Sequence, residues 1–134
     1  KKQNKMEVYY NGGKQVFFFF NGFTLKTDQS PKSGGEGLYP EPFTMFLASL
    51  GTCAGIYVKG FCDSRGLPTE NIKLKQDLQY DPIKRMVGKF TIDIQVPTDF
   101  PEKYDEALIR SANMCAVKKH LHPDIELETK VVRP

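Results

Sequence analysis

The segment Pro42 to Arg65 constrains this chain more than any other. Pro42 suits a helix start, and no further proline appears before Pro68. Between them Phe43, Met45, Leu47, Leu50, Cys53, Ile56, Val58, Phe61 and their neighbours set apolar groups on nearly every side of a helix, and such a helix has to be covered all round. Gly51, Gly55 and Gly60 each cost about 1 kcal/mol of helix propensity relative to alanine. They are therefore expected where another backbone approaches closely or where the helix bends near Cys53. Gly66 ends the helix.

The remaining segments read mostly as strands. Lys5–Tyr10 and Gln15–Phe20 are rich in aromatic and β-branched residues and flank Asn11-Gly12-Gly13, which is a hairpin signal. Phe23–Thr27 follows Asn21-Gly22 and adds a third strand; Asp28–Pro40 has the Ser, Pro and Gly density of a mobile connection. After the long helix, Ile72, Leu74, Gln76, Leu78 and Tyr80 alternate with polar residues, as do Phe90, Ile92, Ile94 and Val96, and Asp81–Gly88 joins the two as a hairpin. Pro101–Lys119 returns to helical spacing with Asp99 as a cap, and Asn113 is a point at which that segment can break and leave Cys115 beside a fresh start. Ile125, Leu127 and Val131 supply a last strand. The expected fold is α+β in the order β-β-β-α-β-β-α-β, a long central helix packed on antiparallel sheets. Because one small sheet cannot cover that helix, an intertwined homodimer is expected.

At 134 residues, with 40% hydrophobic and 26% charged residues, the chain has the length and balance of one globular domain, 1–134. Its net charge of +3 comes from scattered residues, so no nucleic-acid partner is expected. The run Met45–Leu50 is interrupted by Ser49 and is short beside the roughly 20 residues of a membrane span, so no membrane partner is expected either. No basic segment followed by an apolar one opens the sequence, and the expected location is cytoplasmic. Three cysteines cannot all pair, which in a reducing compartment points to thiols, catalysis or metal.

Cys53 and Cys115 lie in small-residue settings, Gly51-Thr52-Cys53-Ala54-Gly55 and Asn113-Met114-Cys115-Ala116, on elements expected to pack together. Two such thiols beside an apolar wall are the minimum parts of a thiol peroxidase, in which a thiolate takes up the terminal peroxide oxygen and a second thiol traps the sulfenic acid. Cys62 follows Cys53 by nine residues, half a turn out of phase, so those two face opposite ways and do not pair. Its expected role is packing. Cys115, His120 and His122 together suggest zinc, but their spacing fits no finger pattern and lacks a fourth ligand, so no metal is expected.

Pro42-Phe43-Thr44-Met45-Phe46-Leu47-Ala48-Ser49-Leu50-Gly51-Thr52-Cys53 resembles the central-helix motif P-x-E-L-L-L-A-A-L-G-S-C of the OsmC-like proteins, which include the organic hydroperoxide resistance proteins. Ala112-Asn113-Met114-Cys115-Ala116-Val117 through Leu121 resembles that family's second motif, A-x-x-C-P-V-x-x-x-L. The resemblance implies an obligate dimer exchanging its N-terminal strands, here 1–27. It assigns reduction of small organic hydroperoxides to Cys53 and resolution to Cys115, with Phe43, Thr44 and Phe46 as candidate substrate contacts. Electrons would come from a small dithiol or a lipoylated protein, with no metal or organic cofactor. Two positions depart from the pattern. The family Glu, nine or ten residues before the first cysteine, is replaced by Thr44 or Phe43, with Glu41 twelve before. The family Arg of the N-terminal strands is missing, the first Arg being Arg65, so Lys14 or Lys26 is left as a substitute charge. The alternative is a non-catalytic dimer of the same fold that holds a small apolar ligand.

Overall fold

The computed structural model describes residues 5–134, so the first four residues of the N-terminal segment lie outside it. The chain divides into two compact units, residues 1–48 and 49–134.

In the first unit, β1 (Met6–Tyr10), β2 (Val16–Phe20) and β3 (Phe23–Thr27) form an antiparallel sheet in that order. Phe20 pairs with both Met6 and Phe23, and Phe18 with both Val8 and Leu25, so these residues share one face. The other face carries Phe17, which is buried against the rings of Tyr9 and Tyr39 at centroid separations of 5.8 Å each. The four consecutive phenylalanines thus face both ways, as strand geometry requires.

The Asp28–Pro40 connection is tied down, contrary to the mobile segment expected. Asp28, only 1% exposed, accepts from the backbone N–H groups of Gln29 at 2.7 Å, Leu38 at 3.1 Å and Glu36 at 3.3 Å. Its own N–H donates to Pro40 O, and Ser30 N–H donates to Glu41 Oε2. A Cβ at Gly35 would run into Gln29 O and Asp28 Oδ1, so only glycine lets the loop wrap this tightly around the carboxylate. The Ser, Pro and Gly content seen in the sequence is here the material of a wound loop.

Helix α1 (Pro42–Ser64) begins in the first unit and continues into the second. The second unit adds β4 (Lys73–Asp81), β5 (Met86–Gln95), α2 (Asp105–Ala112), α3 (Ala116–Lys119) and β6 (Glu126–Val132). Its core joins Ala54, Val58, Phe61 and Cys62 of α1 to Ile92, Ile94 and Val96 and to Leu108 and Ala112 of α2. The second sheet, in the order β4-β5-β6, is not wholly antiparallel: β4 pairs antiparallel with β5, whereas β6 pairs parallel with β5. The cause is the crossover through α2 and α3, which returns the chain to the end of the sheet where β5 began. Arg133 fastens the last strand back to α2 through two 2.7 Å hydrogen bonds to the Asp105 carboxylate and one of 3.1 Å to Phe100 O.

Within the helices one expectation changes and another holds. Asp99 does not cap: the single 3-10 turn Glu102–Tyr104 has Pro101 at its N-cap without a side-chain bond, and Tyr104 precedes α2. The break foreseen at Asn113 is present, and Cys115 stands at the N-cap of α3. Of the three α1 glycines, Gly51 lies under the Gln76 side chain, whereas nothing stands within 4 Å of a Cβ at Gly55 or Gly60. By length and composition α1 would meet the demands of a membrane span, yet its buried row packs on β5. Only 28% of its most apolar window is buried within the chain, so that window retains a second face to cover.

Burial alone would raise the Asp28 pKa, but N–H donation from Gln29, Leu38 and Glu36 outweighs it and lowers the pKa. The resulting stabilisation is complete above the unfolded carboxyl's value of about 3.9 and is lost as pH falls through the depressed folded value. Asp28→Asn should cost about 1–3 kcal/mol at neutral pH and remove this contribution to the acid limb. Urea melts of both proteins at pH 7 and pH 3 test it; equal stability at pH 7 would remove the carboxylate from its organising role.

Candidate active site

Cys53 and Cys115 converge within the second unit. Cys53 lies in the middle of α1 on a half-buried face, and Cys115 is 1% exposed in the break between α2 and α3. The break is what makes the meeting possible, because Cys115 has an extended conformation (φ −52°, ψ 129°) while Asn113 keeps helical angles at the end of α2. The Cys115 thiol and the backbone N–H groups of Val117 and Ala116 act on the Cys53 sulfur and favour its ionised form. These amides begin α3, where the first N–H groups have no acceptor within the helix.

The two thiols are pushed apart in acidity. Burial acts to raise the Cys53 pKa, but the Cys115 hydrogen bond and the Val117 and Ala116 amides outweigh it, and the value falls below that of an ordinary thiol. Cys115 is raised, first by burial and then by its bond to Cys53, against weaker lowering by the Lys118 and Val117 amides. The arrangement therefore favours one thiolate, on Cys53, accepting from a neutral Cys115.

The other sequence candidates are spread over both units. Cys62 is fully buried in the core, and burial raises its pKa, as suits a packing thiol. Phe43, Thr44 and Phe46 belong to the first unit; the Phe43 and Phe46 rings stack at 5.6 Å, and Phe43 is 52% exposed. Lys26 lies against the Phe17 and Tyr39 rings. Arg65 is stacked on Phe61 at 3.7 Å from the ring centroid. His120 Nδ1 is 2.8 Å from Ala116 O, and His122 Nδ1 accepts from Asp124 N–H. Among the described residues no three metal-ligating side chains are grouped to hold an ion.

Sequence reasoning missed the Ala116 and Val117 amides. The signal was available, since the family's second motif has proline directly after its cysteine and proline has no N–H to give. Ala116 stands in that place here.

The chain belongs to the OsmC-like family, whose model, described as "OsmC-like protein", matches residues 34–130. Its fold is similar to that of solved structures of low sequence identity. A candidate osmotic stress induced and detoxification response protein from Psychrobacter arcticus has a TM-score of 0.79 and 19% identity, over 95% of this chain and 94% of that one. An OsmC-like protein from Mycoplasma pneumoniae has a TM-score of 0.77 and 12% identity, over 98% and 97%. An organic hydroperoxide resistance protein OsmC from Legionella pneumophila has a TM-score of 0.64 and 17% identity, over 98% of each chain. A search of curated proteins finds no significant match.

The geometry sets an order of reactivity. With peptide mapping by mass spectrometry, iodoacetamide should label Cys53 with a pH midpoint below the roughly 8.5 of an ordinary thiol and reach Cys115 and Cys62 only at higher pH. Ala116→Pro should move the Cys53 midpoint upward by removing one donor. The fold accommodates that change, since proline suits a first helical position and Cys115 already has the extended backbone that precedes proline. A wild-type Cys53 midpoint at or above that of a free thiol would contradict the arrangement.

Proposed function

We propose that this chain is a thiol-dependent peroxidase for small organic hydroperoxides, with Cys53 peroxidatic and Cys115 resolving. The observation that carries this reading is the pair of free thiols, Cys53 on α1 and buried Cys115 at the α2–α3 break, of which one is held toward ionisation and the other toward protonation. The Cys53 thiolate attacks the terminal peroxide oxygen, the O–O bond breaks, and the departing alkoxide takes a proton to become the alcohol. Cys53 is thereby oxidised to the sulfenic acid. The Cys115 sulfur, giving up its proton, then forms the S–S bond and expels the sulfenic oxygen as water. A dithiol, free or lipoyl, restores both thiols by exchange and leaves as its own disulfide. Phe43, Thr44 and Phe46 are assigned to the apolar part of the substrate.

Family membership supports the peroxide theme, as does the fold shared with a protein named for organic hydroperoxide resistance. The family's Arg–Glu pair is replaced, in this reading, by the Cys115 thiol and two backbone amides. These donate to a thiolate without adding a charge. Three unpaired cysteines suit a reducing cytoplasm.

Cys53→Ser should abolish consumption of cumene hydroperoxide in the presence of dithiothreitol. Cys115→Ser should leave Cys53 exposed to a second peroxide, so that sulfinic acid accumulates in the mass spectrum. Wild-type inactivity across several hydroperoxides and dithiols, with an apolar molecule co-purifying, would instead favour the non-catalytic binding dimer.

The working unit is proposed to be a homodimer with exchanged N-terminal strands. Met6, Val8, Tyr10 and Phe23, on one face of the first sheet, are 62%, 64%, 83% and 70% exposed. On α1, Ile56 is 62% exposed beside Gly55 and Gly60, which leave room for another backbone. Light scattering should give twice the chain mass, and Ile56→Lys should shift the protein toward monomer. A wild-type monomer at micromolar concentration would end this assignment.

A further inference from the structure

The inward row of β6 reads Leu127, Thr129, Val131, with a hydroxyl between two aliphatic side chains that pack against the core. A hydroxyl in such a row is costly unless bonded, and valine there would fill the same space. Thr129 Oγ1 donates to Asn113 Oδ1 at 2.8 Å, a part-buried bond spanning 16 residues. Asn113 is the residue on which α2 ends, two before Cys115. Ser111 Oγ, on the other side of this end, donates to Tyr57 O of α1 at 3.2 Å. Ser111 and Cys115 are four residues apart, as are Tyr57 and Cys53, so these two contacts join α1 to the end of α2 one turn apart. The Ser111 bond fixes the end of α2 on α1, and the Asn113 bond fixes the following break on β6.

We propose that Thr129 and Asn113 are a positioning pair for the peroxidatic centre. Their hydrogen bond holds the 113–117 segment so that the Cys115 thiol and the Ala116 and Val117 amides reach the Cys53 sulfur. Neither residue touches the reacting atoms. The groups acting on Cys53 are the Cys115 thiol and those two amides, and all of them follow Asn113 directly along the chain. The family's second motif, as it stands in this chain, leaves the Asn113 position unspecified, and Thr129 lies beyond that motif. The inference rests on the peroxidase reading for its consequence in turnover; the placement of the amides can be measured without any peroxide.

Thr129→Val keeps the side chain's volume and removes the donor. In the folded variant, checked by circular dichroism, the Cys53 alkylation rate at pH 7 should fall about threefold, with its pH midpoint moving upward. After one equivalent of cumene hydroperoxide, less Cys53–Cys115 disulfide and more sulfinic acid should form. Thr129→Ser, which restores the donor, should return both readouts to wild type, and Asn113→Ala should reproduce the valine phenotype should the valine variant not fold. An altered alkylation midpoint supports the pair even if the wild type consumes no hydroperoxide, in which case the peroxidase reading fails by itself. Folded Thr129→Val or Asn113→Ala with a wild-type midpoint and wild-type disulfide yield would overturn the inference.

Discussion

The architecture depends on covering α1. The core row of Ala54, Val58, Phe61 and Cys62 meets Ile92 and Ile94 of β5 and Val96 just beyond it, and the closeness of that packing fixes the rotation of the helix. Rotation decides which cysteine serves which purpose. With Cys62 turned into the core, Cys53 lies nine residues away on another face, where a group from α2 and α3 can reach it. Thus one packing requirement, set by aliphatic side chains, determines that one thiol is inert filling and the other chemically available.

Among the described residues, the groups that favour a thiolate at Cys53 are a thiol and two backbone amides rather than a cationic side chain. Partial burial opposes ionisation of Cys53, and the Cys115 thiol with the Val117 and Ala116 amides offsets it. The bond from Cys115 and the two amides at the start of α3 are already oriented, so stabilising the anion requires little reorganisation. A guanidinium would supply more field, but it would also have to be desolvated. Backbone donors avoid that cost, and their strength depends on the exact course of a five-residue segment. This dependence gives structural weight to Asn113 and Thr129, whose side chains lie outside the reacting centre.

Much of this was legible in the sequence because it depends on period. Strict alternation marks β4 and β5, and an apolar run free of proline marks α1. The break at Asn113 was visible as an option, since asparagine tolerates a helix end and Cys115 stands in a known motif. What could not be read was direction and partnership. The parallel pairing of β6 follows from where the crossover lands, and the strand carries no local mark of it. Asp28 looked like an ordinary loop residue because its partners are backbone N–H groups, which no side-chain pattern announces. Ala116 stands where the motif has proline, and replacing an imino acid exposes a hydrogen-bond donor.

The parallel β5–β6 ladder also bears on how the chain is made. β5 carries the most buried side chains of the second sheet, Phe90, Ile92 and Ile94, yet one of its edges is completed only by β6, the last element of the fold. During synthesis from the N-terminus, that apolar strand waits with an open edge through thirty residues of intervening chain, 96–125 lying between the two strands. Non-local pairing of this kind slows folding and leaves an edge open to intermolecular association.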